Sequence, residues 1–400
     1  MKKSQLFSFV IIAFVLIGTS TAIGATKTWV PTTGGAWTTA ANWSPSGAPA
    51  TGDDVIISSD QSANITAIPT ITLNSLTING TCTWAGAANG NTIAITTSMS
   101  IASGKTLTFG INGGRLVFTL NGTATINGNF AFDAGNTVRN FTITDGATLI
   151  VTPTGRVYDP NLSAGSVFRL NSGATLKIGN TGGISTGTTA NTTVAVNFGG
   201  SYTYSTGANY EYNGTSAQVT GNGLTQNIPA NVTISNTAGV TFSAATTISG
   251  DMAIGAGAKA NLGTGLTHSS NSLTLGGTGQ SSGSWGGTGS GATNINTTYF
   301  AAATGVLNVM AACKSGTWLG TTSTDWNTGT NWCGGVVPTA STNVTISSGG
   351  NQPVIGAAAV CNNITIESGA TLTISGSNTL TVSGNWTNNG GTFTPGTGTV

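Results

Sequence analysis

One pattern in this chain recurs at a shift of 289 residues. Trp29, Trp37, Trp43, Pro49, Val55 and Ile57 return without a gap as Trp318, Trp326, Trp332, Pro338, Val344 and Ile346. Thr28 and Asn42 return as Thr317 and Asn331, and Leu76-Thr77-Ile78 has its counterpart in Ile364-Thr365-Ile366. Six of the nine tryptophans lie in these two blocks. Long-period repetition ranks above local propensity in deciding architecture, because it marks a unit that is built more than once. Equally spaced tryptophans fit two roles, an aromatic platform for a sugar or a cap that seals the end of a β-stack. Here they recur with a fixed proline and a Val-x-Ile strand rather than with polar ligand residues, and that favours the cap.

A shorter pattern, Ser/Asp-Gly-x-Thr-Leu, lies between and after these two blocks. It occurs at Ser103–Leu107, Asp145–Leu149, Ser172–Leu176 and Ser368–Leu372. The glycine supplies a turn with positive φ. The alternation that follows, as in Thr148-Leu149-Ile150-Val151, puts apolar residues on one face. The glycines at 104, 146 and 173 are 42 and 27 residues apart, which reads as loose multiples of a coil of about 20 residues. Helix signals are almost absent, and short strands recur every 8–12 residues or so.

Charged residues are only 5% of the chain, against about 25% in ordinary soluble domains. Glycine, at 60 of 400 residues, is twice as frequent as usual. Eleven basic residues give no footprint for nucleic acid, and a 38% hydrophobic content argues against disorder. The predicted fold class is all-β, with parallel β-helix or solenoid modules, each opened by a tryptophan-rich cap. A string of antiparallel sandwiches is the competitor, but it calls for a compact period of about 100 residues. The helix is expected to be right-handed over residues 70–310. Tyr202, Tyr204, Tyr210 and Tyr212 read as an aromatic stack or a binding face. The glycine-rich stretch 276–291 around Trp285 reads as a linker or a packed loop.

Lys2 and Lys3 precede an apolar run, Leu6 to Gly18, and then small residues. This is the form of a secretory signal peptide, with cleavage expected after Ala22 or, second, Ala25. The run is too short to span a membrane. The domain assignment is therefore 1–22 signal peptide, 23–310 first cap with β-helix module, and 311–400 the start of a second module. The mature chain is expected to be extracellular or on the outer cell surface, without a transmembrane segment. Cysteines in an exported chain are candidates for oxidation. Cys333 and Cys361 are the expected disulfide, since both are missing from the first block, where Ser44 and a residue near Leu73 take their places. Cys82 and Cys313 stay unassigned.

Candidates for chemistry are few. His268 is the only histidine, and its nearest carboxylate in sequence is Asp251; it reads as a satisfied or surface residue. Asp53-Asp54, the only adjacent acid pair, reads as a strand entry rather than a calcium or hydrolytic site. Arg139, Arg156 and Arg169 with Asp133, Asp145 and Asp159 are the densest charge group. Stacked coils would bring them together in a lyase-like site, or they form a solvated patch. No catalytic, cofactor-binding or metal residue is assigned, and no cofactor is expected.

The blocks at 28–57 and 317–346, with Asn-Trp, Pro and Val-x-Ile, resemble large secreted β-helical, adhesin-like surface proteins of bacteria that use the type IX secretion system. The stretch from Leu273 to Val309 resembles the end of their β-helical modules. The resemblance implies a surface protein with a structural or adhesive role, here as an N-terminal fragment of a longer protein. Together with the composition it predicts a non-enzymatic chain whose partner is a neutral glycan or a cell-surface protein, with no nucleic-acid partner. The alternatives are a polysaccharide-binding or lyase-like β-helix, and an ice-binding solenoid carrying Thr-x-Thr pairs such as Thr142/Thr144, Thr371/Thr373 and Thr379/Thr381.

Overall fold

A computed structural model of the chain describes all residues except 1–23, 89, 111–115, 133–138, 161–165, 187–192, 199–200, 311–315, 321, 334 and 349. The expected leader, Cys313 and Asp133 lie outside the described residues. The fold is nearly all-β, a parallel solenoid of about 13 turns.

Parallel stacking begins earlier than residue 70. Strand Thr26–Trp29 pairs with Asp54–Ile57, which pairs with Ile71–Ile78, which pairs with Asn91–Ile101. Asn91–Ile101 is long enough to bend around a corner, and it pairs with both Leu116–Leu120 and Thr123–Ile126. Two faces then continue side by side. One runs through Arg139–Ile143, Ser166–Leu170 and Ser201–Tyr204. The other runs through Thr148–Val151, Thr175–Ile178, Asn209–Tyr212, Asn231–Ile234, Thr247–Ile254 and Thr267–Leu275. A second sheet of eight strands, among them Cys82–Gly86, Thr106–Phe109, Asn129–Phe132 and Arg156–Tyr158, forms a further side.

Strand periodicity explains how each coil contributes to one core. In Thr148–Val151 the side chains of Leu149 and Val151 are buried and those of Thr148 and Ile150 are half-buried on the outer face. In-register parallel pairing then stacks like on like. Phe118, Phe141 and Phe168 occupy one inward column, with ring centroids 5.4 and 5.9 Å apart. Each such side chain withdrawn from water contributes about 1.5–3 kcal/mol. This is how a chain with so few charges holds together: adjacent backbones set the pairing and the interior column supplies the energy.

All four copies of the Ser/Asp-Gly-x-Thr-Leu motif form the same turn. Amide-to-carbonyl bonds close Ala102 to Lys105, Thr144 to Ala147, Asn171 to Ala174 and Glu367 to Ala370. The third residue of each turn is a glycine with φ between +70° and +78°, the conformation a type II turn needs at that place. A strand starts at the motif's threonine in every case. The copies do not mark one corner of successive coils, however. Thr106–Phe109 belongs to the eight-stranded sheet, whereas Thr148–Val151 and Thr175–Ile178 belong to the larger one. Coil length also varies: Thr148 pairs with Thr175, but Thr175 pairs with Asn209.

The first stack ends by folding back. Gly283–Gly286 runs antiparallel to Val306–Val309, and Trp285 is buried there. The glycine-rich segment is packed rather than a linker, since a Cβ on Gly287 would lie 2.0 Å from the Ala301 carbonyl oxygen. The tyrosine cluster is also interior: Tyr204, Tyr210 and Tyr212 are buried and Tyr202 is half-buried.

Residues from Thr317 onward form a second stack with its own core. Val344–Ile346 pairs with Ile364–Ile366 and then Trp386–Asn388, and Thr371–Ile374 pairs with Thr392–Thr394. The expected Cys333–Cys361 disulfide does not form. Cys361 is a buried free thiol on strand Ala359–Cys361, held beside Leu380–Val382. Cys333, by contrast, is disulfide-bonded. The backbone amide of Cys333 is tied to the Thr317 carbonyl next to the tryptophans, so the two cysteines are anchored to separate pairings.

Candidate functional site

The repeated tryptophans pack identically in both stacks. Trp29 and Trp43 meet edge to face at 4.9 Å, and Trp318 and Trp332 at 4.8 Å. Trp37 and Trp43 meet at 4.7 Å, and Trp326 and Trp332 at 4.6 Å. The indole Nε1 of Trp43 donates to the Trp37 carbonyl at 2.7 Å. Asn42 Nδ2 donates to the Ala36 carbonyl, and Asn331 Nδ2 to that of Asp325. Pro49 and Pro338 are buried. All six indoles are at most 4% exposed, so none offers a face on which a sugar ring stacks. Strand Trp43–Ser44 runs antiparallel along Thr26–Trp29, on the edge opposite Asp54–Ile57.

His268 is fully engaged. Its Nδ1 accepts from the Thr246 amide at 3.2 Å, and its Nε2 faces the Leu262 carbonyl at 2.9 Å. These partners specify the neutral ring with the proton on Nε2. Burial holds its pKa below the ordinary value, opposed by the bond to Leu262. Neither nitrogen is left for a substrate.

The acid pair is likewise spent on structure. Asp53 accepts from the amides of Ala25 at 2.7 Å and Ala50 at 2.8 Å. Asp54 accepts from Asn74 Nδ2 at 2.7 Å and Ser75 Oγ at 2.6 Å, both on the next coil.

The three arginines do not lie on one sheet. Arg156 lies on the eight-stranded sheet, where its guanidinium sits 4.2 Å above the ring of Tyr158. Burial lowers its pKa from the ordinary value. Arg169 lies on the larger sheet, paired in register with Thr142 and Thr203. Arg139 starts the neighbouring strand on that sheet, opposite Ser166. Asp159 is buried beside the Arg156 strand, while Asp145 is exposed at a corner turn. Among the described residues no three potential metal ligands gather, and no helix is long and apolar enough to cross a membrane.

Sequence reasoning missed a groove of about 1020 Å³ between the corner turns of the first stack and the start of the second. Asp145, Asn171, Ser172, Ser249 and Asn271 line one wall, and Trp318 to Gly320 with Ser347, Ser348, Gly350 and Asn351 line the other. The sequence marked Asp145 and Ser172 as turn residues and Trp318 as part of the repeat, but nothing in it brought them together with Ser249 and Asn271, which come from other coils.

Residues 317–395 match a family described as a domain of unknown function (DUF8693). The match opens at Thr317, the residue that repeats Thr28. No curated protein and no solved structure matches the chain.

Proposed function

We propose that this chain is a secreted or cell-surface repeat protein with a structural and adhesive role, non-enzymatic, whose partner is a neutral glycan or a cell-surface protein. The observation that carries the reading is the commitment of its chemically capable groups to the fold. His268 and the Asp53-Asp54 pair bond within the coils, and Arg156 and Arg169 stand on different sheets. The outward positions of the strands carry many hydroxyl and amide side chains, with few charges among them such as the Lys105–Asp60 and Lys177–Glu211 pairs. A net charge near zero gives little long-range steering, so binding should respond weakly to salt. The tryptophan turns act in this reading as caps that close the first coil of each module. The resemblance to type IX-secreted, adhesin-like proteins and the leader-like N-terminus support the extracellular placement. The test is an assay against acidic and neutral polysaccharides with and without calcium. Binding without turnover supports the reading. Turnover lost in Arg139→Ala or Arg156→Ala would replace it with the lyase-like alternative.

One observation favours a second reading, ice binding. Ser75/Thr77, Ser98/Ser100 and Thr123/Thr125 stand in register on three consecutive coils. Of the pairs seen in the sequence, Thr371/Thr373 faces Thr392/Thr394, Thr381 pairs with Val360, and Thr144 is bonded at a corner to the Leu120 carbonyl and Asn121. Thermal hysteresis near freezing that disappears in Ser98→Trp would support this reading over the first.

A further inference from the structure

We infer that the groove between the two stacks is a binding site for an extended neutral oligosaccharide of about five or six sugar units, lying parallel to the solenoid axis. This inference rests on the glycan reading above and names its site.

The strands that follow the groove's corner residues are in register over six coils. Thr148 pairs with Thr175, Thr175 with Asn209, Asn209 with Asn231, Val232 with Met252, and Asp251 with Ser272. The same register carries the corner from Asp145 through Ser172, past Gly207, to Ser249 and Asn271. Backbone bonds confirm the stacking there: the Gly173 amide reaches the Gly207 carbonyl at 3.0 Å, and the Gly250 amide reaches that of Ala230 at 2.7 Å. Parallel strands are about 4.8 Å apart, so six coils present polar positions over roughly 24 Å. That rise per coil is close to the length of one pyranose in an extended chain. A linear glycan along the axis therefore meets an equivalent position at each sugar.

The chemistry fits an uncharged polyol. Asn171 and Asn271 make no side-chain hydrogen bond within the fold, and Asp145 makes neither a side-chain hydrogen bond nor an ion pair, although all three lie among described residues. On the opposite wall Asn351 spends Nδ2 on the Gly320 carbonyl at 3.0 Å, which fixes the amide and leaves Oδ1 as an acceptor. Asp145 is the one charged residue among the described residues that line the groove, so a polyanion meets a carboxylate there. Carboxylate and amide groups recognise vicinal hydroxyls by paired hydrogen bonds, each worth more when the group has no competing partner.

The experiment measures binding of the full exported chain to neutral cello-, manno- and malto-oligosaccharides of two to eight units by calorimetry. The expected result is an affinity that rises with length to five or six units and then levels. Asn271→Ala and Asp145→Ala should each weaken the longest ligand about tenfold, and Ser348→Trp should abolish binding. Thr108→Ala, on the eight-stranded sheet, should leave it unchanged, and thermal melting should show every variant folded. Binding that is already maximal at two units, or that survives Ser348→Trp, overturns the groove while leaving a glycan-binding function standing. No binding to any neutral oligosaccharide or polymer overturns both.

Discussion

The indole Nε1 of Trp332 donates to the carbonyl oxygen of Trp326 at 2.6 Å, and the residues 289 positions earlier, Trp43 and Trp37, make the same bond at 2.7 Å. The bond ties the strand after the short 3-10 turn to the loop before it, so each tryptophan is both packing and fastener. Trp332→Ala removes both. It should destabilise the second stack by about 3–5 kcal/mol, while Trp332→Phe, which keeps a ring, should cost less. Because the two cores are separate clusters, chemical denaturation should show the transition of the second stack moving and that of the first unchanged. A shift of both by the same amount would show that they unfold as one unit.

Cys82 and Cys361, the free thiols among the described residues, should be inert in the folded chain. Burial pushes the Cys82 pKa up to about 12 and the Cys361 pKa up to about 11, so neither supplies thiolate near pH 8. A maleimide or disulfide reagent at that pH should label both only after unfolding. Peptide mapping without reduction should recover Cys333 in a disulfide and Cys361 free. A peptide linking Cys333 to Cys361 would contradict the structure.

His268 makes stability depend on pH in one direction. Its folded pKa lies below the ordinary value near 6.5, so below pH 6.5 the unfolded chain takes up a proton that the folded chain refuses. The contribution is fully present above the unfolded pKa and is lost as pH falls toward the folded one. As the only imidazole, it can be followed directly by NMR titration, where its midpoint should lie below 6.5. A midpoint above that value would mean that the ring is not held between Thr246 and Leu262.

Two glycines separate conformation from contact. Gly104 has φ +70° with open space around a Cβ, whereas a Cβ on Gly155 would lie 1.8 Å from the Ile126 carbonyl oxygen. Gly104→Ala should cost about 1–2 kcal/mol, the left-handed penalty alone. Gly155→Ala forces two backbones apart and should cost more. Equal losses in thermal and denaturant melts would show that the coils separate without resistance.

Much of this architecture was legible in the linear chain. Alternation such as Thr175-Leu176-Lys177-Ile178 sets which side chains face inward, and a glycine before each such run sets where the chain turns, because both are properties of neighbouring residues. The 289-residue repeat likewise exposed a second unit through Trp318, Trp326 and Trp332. What the tertiary structure alone decided is register. Coils of unequal length place Arg156 and Arg169 on different sheets, set Cys361 beside Val382 rather than Cys333, and bring Asp145 and Asn271 to one groove across six coils. Those juxtapositions depend on the loop length between strands, and a solenoid absorbs extra residues at its corners with little cost to the stacked faces. Spacing in sequence therefore does not carry over to spacing in space, and the site emerges only once the coils are stacked.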